Sequence, residues 1–512
     1  MQLDFVITVD RTLMSDHHGK EFIGFMTTSP AVGLPEWLWM WIAAPKPRVD
    51  EYGRPYAAPY GLRKVEAALQ NAGFKAAVID PDHIHRYLKH AKALMIGHHD
   101  FFAFCAPSNV WWAVTKREPV NRKYFMKLMD SKPVREFKQR GGKLIMGGPA
   151  AWQWLHVEDL WERWGVDTVI DGEAEKVIVD IAQKILDGEP LPKYIYVAPH
   201  EVPRIEEIPL IRAPSVNGLV EIMRGCPRGC KFCSVTLRPL RYIPIEMIVK
   251  EIRINKRGGV THALLHSEDV LLYGANGVIP REEPLMKLHQ AVAKEGVTLG
   301  WSHVSLAAVV AAQRNGRIVT KLMDFIKSAF EQDYIGVQTG IETGSPRLAK
   351  IIMPGKAAPY SPEQWPEIVE EAFAIMAEND IIPAATIILN LPEETIDDIV
   401  KTMELLDRLK PYPSLVVPMY FVPMGVLKDK RALLNFRIKP EHIEIMWKCL
   451  EHSLYWAPKL AKKYLCDNPL VLLGIRLFIA FVRWKKRSLE PKVRELIEEA
   501  RRGIYEHRAV KN

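Results

Sequence analysis

The stretch "RGCPRGCKFCSV" at residues 224–235 places Cys226, Cys230 and Cys233 within eight positions. A structural zinc site takes four ligands, and the other three cysteines of the chain are single and distant, so zinc would need a histidine as well. Cysteine thiolates are the usual protein ligands of a four-iron cluster, and three of them leave one iron open. The spacing therefore favours an iron–sulfur cluster, and a zinc-binding scaffold module stays open as the alternative.

The residues around this loop alternate between short apolar segments and amphipathic ones. "LVEIM" reads as a strand directly before the cysteines, and "THALLHSED", "TLGWSHVSL", "YIGVQTGIETG" and "IPAATIILNLP" follow as further strands, separated by helical patterns. Polar and glycine-rich residues lie at the strand ends, as in barrels whose active site is at the C-terminal face. About six βα units are visible, which predicts an α/β fold with a partial (β/α)6 TIM barrel over residues 218–432.

With CxxxCxxC in the loop after the first barrel strand, and Phe232 as the aromatic before its last cysteine, the sequence resembles the radical S-adenosylmethionine (radical SAM) enzymes. The resemblance implies that Cys226, Cys230 and Cys233 hold a [4Fe-4S] cluster whose fourth iron binds the methionine part of S-adenosylmethionine. It also implies a reductant such as ferredoxin or flavodoxin. One electron then cleaves the sulfonium to a 5′-deoxyadenosyl radical, which takes a hydrogen atom from a C–H bond.

The same resemblance implies cofactor-binding residues at other strand ends. In "LLHSEDV", Glu268 is the candidate for holding the methionine amine, with Asp269 as its substitute. In "GVQTGIETGSPRL", Glu342 and Ser345 are expected to contact the nucleoside or methionine part, and "IILNLPEET" resembles the segment whose backbone helps to hold adenine. The expected cofactor-binding residues are Phe232, Glu268, Ser302, His303, Glu342, Ser345 and Asn390.

Residues 1–195 also read as alternating strands and helices, which predicts a Rossmann-like, doubly wound parallel sheet. Ligands of such sheets lie beyond the strand C-termini, where His98, His99 and Asp100 fall. "PYGLRKVEAALQNAGFKAAVID", "LIMGGPAAW" and "DGEAEKVI" resemble the cobalamin-binding domain of many radical SAM enzymes. The cobalt-ligating pattern DxHxxG is absent, and its nearest approach is Asp16 and His18. Some relatives bind cobalamin without such a ligand, so the resemblance leaves cobalamin open.

The proline-rich residues 196–217 predict a linker, and residues 433–512 predict a helical C-terminal domain. Within that domain, Leu470–Val482 is apolar except for Arg476, is too short to cross a bilayer and ends in a cationic, tryptophan-containing stretch. Such a helix suits the membrane interface or the wall of an apolar cavity, and a buried core helix is the alternative. The remaining cysteines, Cys105, Cys449 and Cys466, are read as buried single thiols without a role.

Composition narrows the setting in which the protein works. The chain has 512 residues, a formal net charge of +8 and six cysteines, half of them in one motif, which favours a reducing compartment. Its first residues lack the pattern of a signal peptide, so we expect a cytoplasmic protein, with peripheral contact to the inner face of the membrane as an option. The helical C-terminus disfavours nucleic acid as partner, because transfer-RNA modifiers of this kind usually carry a small basic β-domain there.

Three apolar stretches indicate a hydrophobic lipid as substrate: "LPEWLWMWIAA", "HHDFFAFCAPSNVWWAV" and the helix around Leu470. Ordinary core packing is the alternative for each of them. Together with the domain order, they make the chain resemble the archaeal branch that includes the ring synthases of glycerol dialkyl glycerol tetraether (GDGT) lipids. That resemblance implies hydrogen abstraction from a saturated isoprenoid chain and closure of a cyclopentane ring. A cobalamin-dependent C-methyltransferase is the alternative enzyme.

Overall fold

The computed structural model of the chain describes residues 2–19, 21–429, 435–462, 469–502 and 506–508. The chain divides into two units: the first comprises Met1–Glu221 with Ile243–Leu264, and the second comprises Ile222–Tyr242 with Leu265–Lys511. The division does not test the predicted domain limits, which stay predictions.

A six-stranded sheet forms the centre of the first unit. Its strands are β1 Phe5–Thr8, β2 Ala76–Val78, β3 Ala93–Gly97, β4 Lys143–Gly147, β5 Thr168–Asp171 and β6 Tyr194–Tyr196. They pair in parallel in the order β2-β1-β3-β4-β5-β6. Strands β1 and β2 are buried throughout, as expected when helices cover both faces of a parallel sheet. The predicted doubly wound sheet is confirmed, and its order reverses between β1 and β3.

The helices of this unit are α1 Arg11–Met14, α2 Glu21–Gly24, α3 Glu36–Ala43, α4 Tyr60–Asn71, α5 Ser108–Thr115, α6 Val120–Met129, α7 Lys132–Gln139, α8 Glu158–Trp164, α9 Val177–Asp187 and α10 Ile245–Arg257. Helix α4 carries the buried Lys64, which donates to Glu251 on α10 at 2.6 Å. Strand β6 ends at Tyr196, the first residue of the predicted linker, where no strand was expected. Its three residues are too few to show the period-2 pattern of a strand.

The next strands are β7 Leu219–Glu221, β8 Met223–Arg224, β9 Arg241–Tyr242, β10 His262–His266, β11 Thr298–Trp301, β12 Ile335–Glu342, β13 Ile381–Leu389 and β14 Leu415–Tyr420. One three-stranded sheet has the order β11-β10-β7, and another has the order β12-β13-β14. A parallel bridge joins His303 to Gln338, and β8 pairs with β9 in antiparallel.

The helices of the second unit are α11 Glu282–Ala293, α12 Leu306–Arg314, α13 Ile318–Phe330, α14 Pro346–Ile352, α15 Trp365–Glu378, α16 Ile396–Arg408, α17 Pro440–Leu460 and α18 Pro469–Arg501. At least one helix follows each of β7, β10, β11, β12, β13 and β14 in the chain, so the six predicted βα units are confirmed.

The C-terminal region contains the helices α17 and α18, as predicted, and also an antiparallel pair of short strands, β15 Asn435–Arg437 and β16 Glu506–Arg508. The predicted apolar helix around Leu470 coincides with the backbone of α18, and the side chains of residues 470–479 lie outside the described part. Cys466 lies outside it as well. Among the residues that the structure describes, no helix combines the length and the apolar character needed to span a membrane.

Candidate active site

The cysteine loop starts directly after strand β8 and has a tightly constrained backbone. Gly225 has a φ of +82°, and a Cβ at this position would lie 2.6 Å from the carbonyl oxygen of Pro239. Only glycine meets both demands, since it accepts positive φ and adds no atom there. Further along, the N–H of Cys233 donates to the carbonyl of Cys230 at 3.1 Å and closes a turn between these two cysteines.

A distant segment, residues 352–358, fixes the shape of this loop, and we call it the clamp segment. The N–H of Lys231 donates to the carbonyl of Ile352 at 2.9 Å. The buried guanidinium of Arg228 donates to the carbonyls of Lys356 at 3.0 Å and Ala358 at 2.8 Å. Gly355 lies so close to the loop that a Cβ would meet the carbonyl oxygen of Arg228 at 2.0 Å. The cysteine loop is therefore held against the clamp segment at several points.

The three thiols of the loop are partly or fully shielded from solvent. Burial raises the pKa of Cys226 to about 11 and that of Cys233 to about 12, and it also raises the pKa of Cys230. The free thiols are therefore protonated at neutral pH, and iron has to displace their protons, because the thiolate is the metal ligand. In the described part of the chain, no three His, Cys, Asp or Glu side chains form a group suited to a single metal ion. A four-iron cluster instead takes one thiolate on each of three irons.

Phe232 packs at the edge of an apolar cluster in the second unit. The buried members of that cluster are Leu348, Ile352, Leu391 and Phe421. The ammonium of Lys356 lies 5.9 Å from the centroid of the Phe232 ring. The aromatic of the motif therefore anchors the loop in the core of the second unit.

The two acids after strand β10 have different environments. Asp269 is buried and accepts hydrogen bonds from Ser305 and, at 3.4 Å, from Arg228. Burial raises the pKa of Asp269, although both partners act against that shift. Glu268 is exposed, yet its carboxylate is close enough to Cys233 to raise the pKa of that thiol. Asp269 thus supports the loop through Arg228, while Glu268 is the acid of the pair that a ligand beside Cys233 can reach.

Ser302 and His303 follow strand β11 and also differ in availability. The hydroxyl of the buried Ser302 donates to the carbonyl of Ser267 at 2.9 Å and accepts from the N–H of Ser267 at 3.1 Å. His303 is half-buried, its ring centroid lies 6.0 Å from that of His266, and its Nδ1 has no hydrogen-bond partner among the described residues. Ser302 therefore joins neighbouring strand ends, and His303 is the residue with hydrogen-bonding capacity left for a ligand.

Glu342 occupies an irregular end of strand β12, where the pairing register with β13 shifts and its φ is +62°. Its carboxylate forms an ion pair with Lys356 and accepts from the Thr386 hydroxyl at 3.2 Å. Gly340 leaves room for the pair, because a Cβ there would lie 1.9 Å from Glu342 Oε1 and 2.5 Å from Lys356 Nζ. Positive φ in a glutamate is uncommon and costs energy, so the surroundings hold this carboxylate in a defined place.

Lys356 is the residue of this site that the sequence did not reveal. Burial alone would lower its pKa, but the charge of Glu342 and its hydrogen bond with Lys356 outweigh burial and raise it. Its side chain is only 11% exposed. A carboxylate that is buried at a barrel strand end needs a cation beside it. This requirement was the signal in the sequence that Glu342 would have a basic partner.

Ser345 and Asn390 complete the predicted set. Ser345 is fully buried: its hydroxyl accepts from the N–H of Leu348 as the N-cap of α14 and donates to Asp398 at 2.5 Å. Asn390 is half-buried with a φ of +61°, and its Nδ2 has no partner among the described residues. The structure gives Ser345 a capping role and leaves an amide available at Asn390. The expected ligand contacts of both residues stay predictions.

Strand β13 has two contrasting faces. Ile381 and every second residue after it are buried, whereas Ile382, Ala384, Thr386 and Ile388 are only half-buried. The half-buried face belongs to the cysteine side of the unit, since Thr386 bonds to Glu342 and Ile388 packs in the same cluster as Phe232. On the neighbouring strand β14, Leu415, Val417 and Met419 are half-buried as well. A mainly apolar, accessible wall therefore lies beside the predicted cofactor site.

A second cluster of polar residues follows strand β3 in the first unit. His98 lies 2.7 Å from Asp10 through its Nε2, and its Nδ1 accepts from the N–H of Asp100 at 2.8 Å. Asp100 in turn accepts from Gln153 at 2.7 Å. His99 follows β3 closely and is exposed. Of the three residues expected at this sheet edge, His99 is the one that is open to a ligand.

Comparison with known proteins agrees with the site in the second unit. Residues 220–406 match the Radical SAM superfamily. The tRNA-2-methylthio-N(6)-dimethylallyladenosine synthase of Thermotoga petrophila is 24% identical over 273 residues, which are 53% of this chain and 57% of that protein. The ribosomal protein uS12 methylthiotransferase RimO of Chlamydia felis is 29% identical over 126 residues, 24% of this chain and 26% of that protein.

The chain spans little more than half of the first of these relatives and about a quarter of the second. Among solved structures, the radical S-adenosylmethionine methyltransferase TsrM from Kitasatospora setae, with cobalamin and a [4Fe-4S] cluster bound, gives a TM-score of 0.48 at 13% identity. That alignment covers 88% of this chain and 78% of TsrM.

Proposed function

With a radical SAM domain at residues 220–406 as the premise, we propose that the chain is an enzyme that abstracts a hydrogen atom from an unactivated C–H bond of an apolar substrate. The cofactors of this superfamily are a [4Fe-4S] cluster and S-adenosylmethionine, which together supply a 5′-deoxyadenosyl radical when bound. The single observation that carries the proposal is the cysteine loop, held by the clamp segment in the matched domain.

The residues of the site divide the work as follows. Cys226, Cys230 and Cys233 would hold three irons, and their donor set of three thiols fits a cluster with one open iron. Glu268, exposed and close to Cys233, would accept hydrogen bonds from the methionine amine. His303 has a free ring nitrogen and would bind a polar part of the cofactor.

The half-buried faces of β13 and β14 support an apolar substrate. Because their side chains are mainly aliphatic, they offer a saturated substrate a dry contact surface but few hydrogen bonds. A radical also needs shielding from water and from other donors of hydrogen atoms. These features support an archaeal isoprenoid tetraether lipid that is closed to a cyclopentane ring, as in GDGT ring synthases, with ferredoxin or flavodoxin as reductant.

Peripheral contact with a membrane would bring such a substrate to the enzyme. Helix α3 in the first unit exposes Trp37 and Trp41, one helical turn apart, with 71% and 62% of their surfaces open to solvent. Exposed tryptophans on one helix face suit the interfacial region of a bilayer, where their rings find both apolar and polar surroundings.

The proposal is tested on anaerobically reconstituted protein supplied with reductant, S-adenosylmethionine and an archaeal tetraether lipid extract. We expect iron and sulfide in the protein, lipid-dependent 5′-deoxyadenosine, and a lipid product lighter by two hydrogens. The Cys226→Ala variant is expected to lose all three, and Cys105→Ala, outside the motif, to keep them. Stoichiometric zinc and no cleavage of S-adenosylmethionine would make the chain a zinc-binding scaffold instead.

Cobalamin-dependent C-methylation is the second candidate, and the first unit favours it. Its parallel sheet reverses order between β1 and β3, the place where ligands bind in such sheets, and His99 is exposed just after β3. This candidate predicts that the purified chain retains a corrinoid and yields S-adenosylhomocysteine with a substrate that gains a methyl group. Lipid that loses hydrogen in the absence of corrinoid would exclude it.

A further inference from the structure

We infer that Lys356, oriented by Glu342, is a positioning residue that places a buried positive charge beside the cysteine loop and raises the reduction potential of the cluster held there. The inference rests on the cluster-binding part of the proposed function. It goes beyond that function because it assigns control of electron uptake to one side chain outside the CxxxCxxC motif.

The location of the ammonium is fixed at both ends of the residue. The carbonyl of Lys356 accepts from Arg228 at 3.0 Å, so its backbone is tied to the cysteine loop. Its Nζ forms the ion pair with Glu342 and lies 5.9 Å from the ring centroid of Phe232, the neighbour of Cys233. A side chain that is 11% exposed and held in this way has little freedom to move its charge into water.

The ion pair is oriented with respect to the cysteines. The ammonium of Lys356 is the end of the pair beside the loop, 5.9 Å from the ring centroid of Phe232, whereas the carboxylate of Glu342 accepts from Thr386 on β13. The positive end of the pair is thus the end that the loop experiences. Because both side chains are almost buried, solvent screens this effect much less than it screens a surface pair.

The expected consequence concerns the one-electron reduction of the cluster. Reduction adds one negative charge to a centre that already carries three thiolates, and a fixed cation in a low-dielectric site stabilises the added charge. Neighbouring charge and hydrogen bonding are the means by which a protein tunes such potentials. Removing the cation should therefore make the cluster harder to reduce, whereas removing the opposing carboxylate should make it easier to reduce.

The test is an EPR-monitored potentiometric titration of reconstituted full-length protein, with iron and sulfide determined for every sample. The variants are Lys356→Met, Lys356→Arg and Glu342→Gln, and the matched control is Lys350→Met, which removes an exposed lysine of α14 that pairs with Glu363. We expect Lys356→Met to lower the equilibrium constant for reduction at least tenfold, about 59 mV for one electron. Lys356→Arg and Lys350→Met should stay close to wild type, and Glu342→Gln should shift the midpoint in the opposite direction to Lys356→Met.

A merely structural ion pair would not give opposite shifts of the midpoint potential in Lys356→Met and Glu342→Gln. Either variant would break such a pair and would disturb the loop in the same way. The inference is overturned if Lys356→Met keeps a full cluster with an unchanged midpoint, or if both variants shift the midpoint in the same direction. Should Lys356→Met take up no iron, Glu342→Gln decides alone, and a midpoint at or below that of wild type overturns the inference. Wild-type protein without a cluster would refute the proposed function itself.

Discussion

Gly355→Ala is the substitution that most directly tests how the clamp segment holds the cysteine loop. The new methyl group would lie 2.0 Å from the carbonyl oxygen and 3.0 Å from the carbonyl carbon of Arg228. Ordinary C···O contacts are about 3.3 Å or longer, so the two backbones have to separate by about 1.3 Å. No side-chain rotation relieves the clash, because both the methyl group and its obstacle are fixed to the main chain.

That separation would also weaken the hydrogen bonds from Arg228 to the carbonyls of Lys356 and Ala358. Overpacking typically costs about 1–3 kcal/mol and a hydrogen bond of a charged group contributes about 1.5–3 kcal/mol, so we expect a loss of about 2–4 kcal/mol after partial relaxation. Urea unfolding of the apoprotein, followed by a signal from the second unit, measures this loss of stability. Iron analysis after reconstitution should show several-fold less cluster than in wild type.

Gly336→Ala is the matched control, because a methyl group added at this position on β12 would have no heavy atom within 4 Å and the φ of Gly336 is not in the positive range. Its free energy of unfolding should stay within about 0.5 kcal/mol of wild type. If Gly355→Ala unfolds like the control and assembles a full cluster, the clamp segment does not determine the shape of the loop and the reasoning fails.

Three further predictions address stability and substrate. His289 is buried, donates to the carbonyl of Leu285 and accepts from Trp301 at 2.9 Å. Burial lowers its pKa to about 4, so in mildly acidic solution the unfolded chain binds a proton at this residue and the folded chain does not. The free energy of unfolding should therefore fall by up to about 3 kcal/mol between pH 6.5 and 4, and His289→Gln should flatten this slope in a pH series of urea titrations. Burial would raise the pKa of Asp398, but hydrogen bonds, above all from Arg347, lower it. The stability that this carboxylate adds is therefore present above about pH 4 and lost in more acidic solution. Asp398→Asn should be less stable than wild type at pH 7, and thermal unfolding should show this difference shrinking towards pH 2. Val417→Asp places a charge on the apolar wall of β14. Product analysis should show that lipid-dependent formation of 5′-deoxyadenosine falls at least tenfold, while lipid-independent cleavage of S-adenosylmethionine persists. Equal losses of both activities would show that the wall does not bind the substrate.

Local patterns were sufficient for the parts of the fold that depend on neighbouring residues. The three cysteines lie within eight positions, and the strands and helices of the βα units show their periods over short segments, so local sequence is enough to predict them. The sequence did not predict strand β6, because three residues near prolines are too few to show the alternating pattern of a strand. The capping role of Ser345 was also readable locally, because a serine before a proline is a typical N-cap followed by a first helical residue; its expected contact with the cofactor stays a prediction.

The contacts that shape the candidate site could not be read in this way, because they join residues far apart in the chain. Arg228 meets Ala358 and Asp269 only after strands β10 and β12 are in place, and no local pattern specifies those partners. Lys356 is intermediate: a buried Glu342 demands a cation, so the sequence reveals that a partner is needed, whereas only the fold selects which lysine supplies it. A motif therefore identifies the thiolates of a cluster site, but the charge around them has to be located in three dimensions, and this charge decides how readily the site accepts an electron.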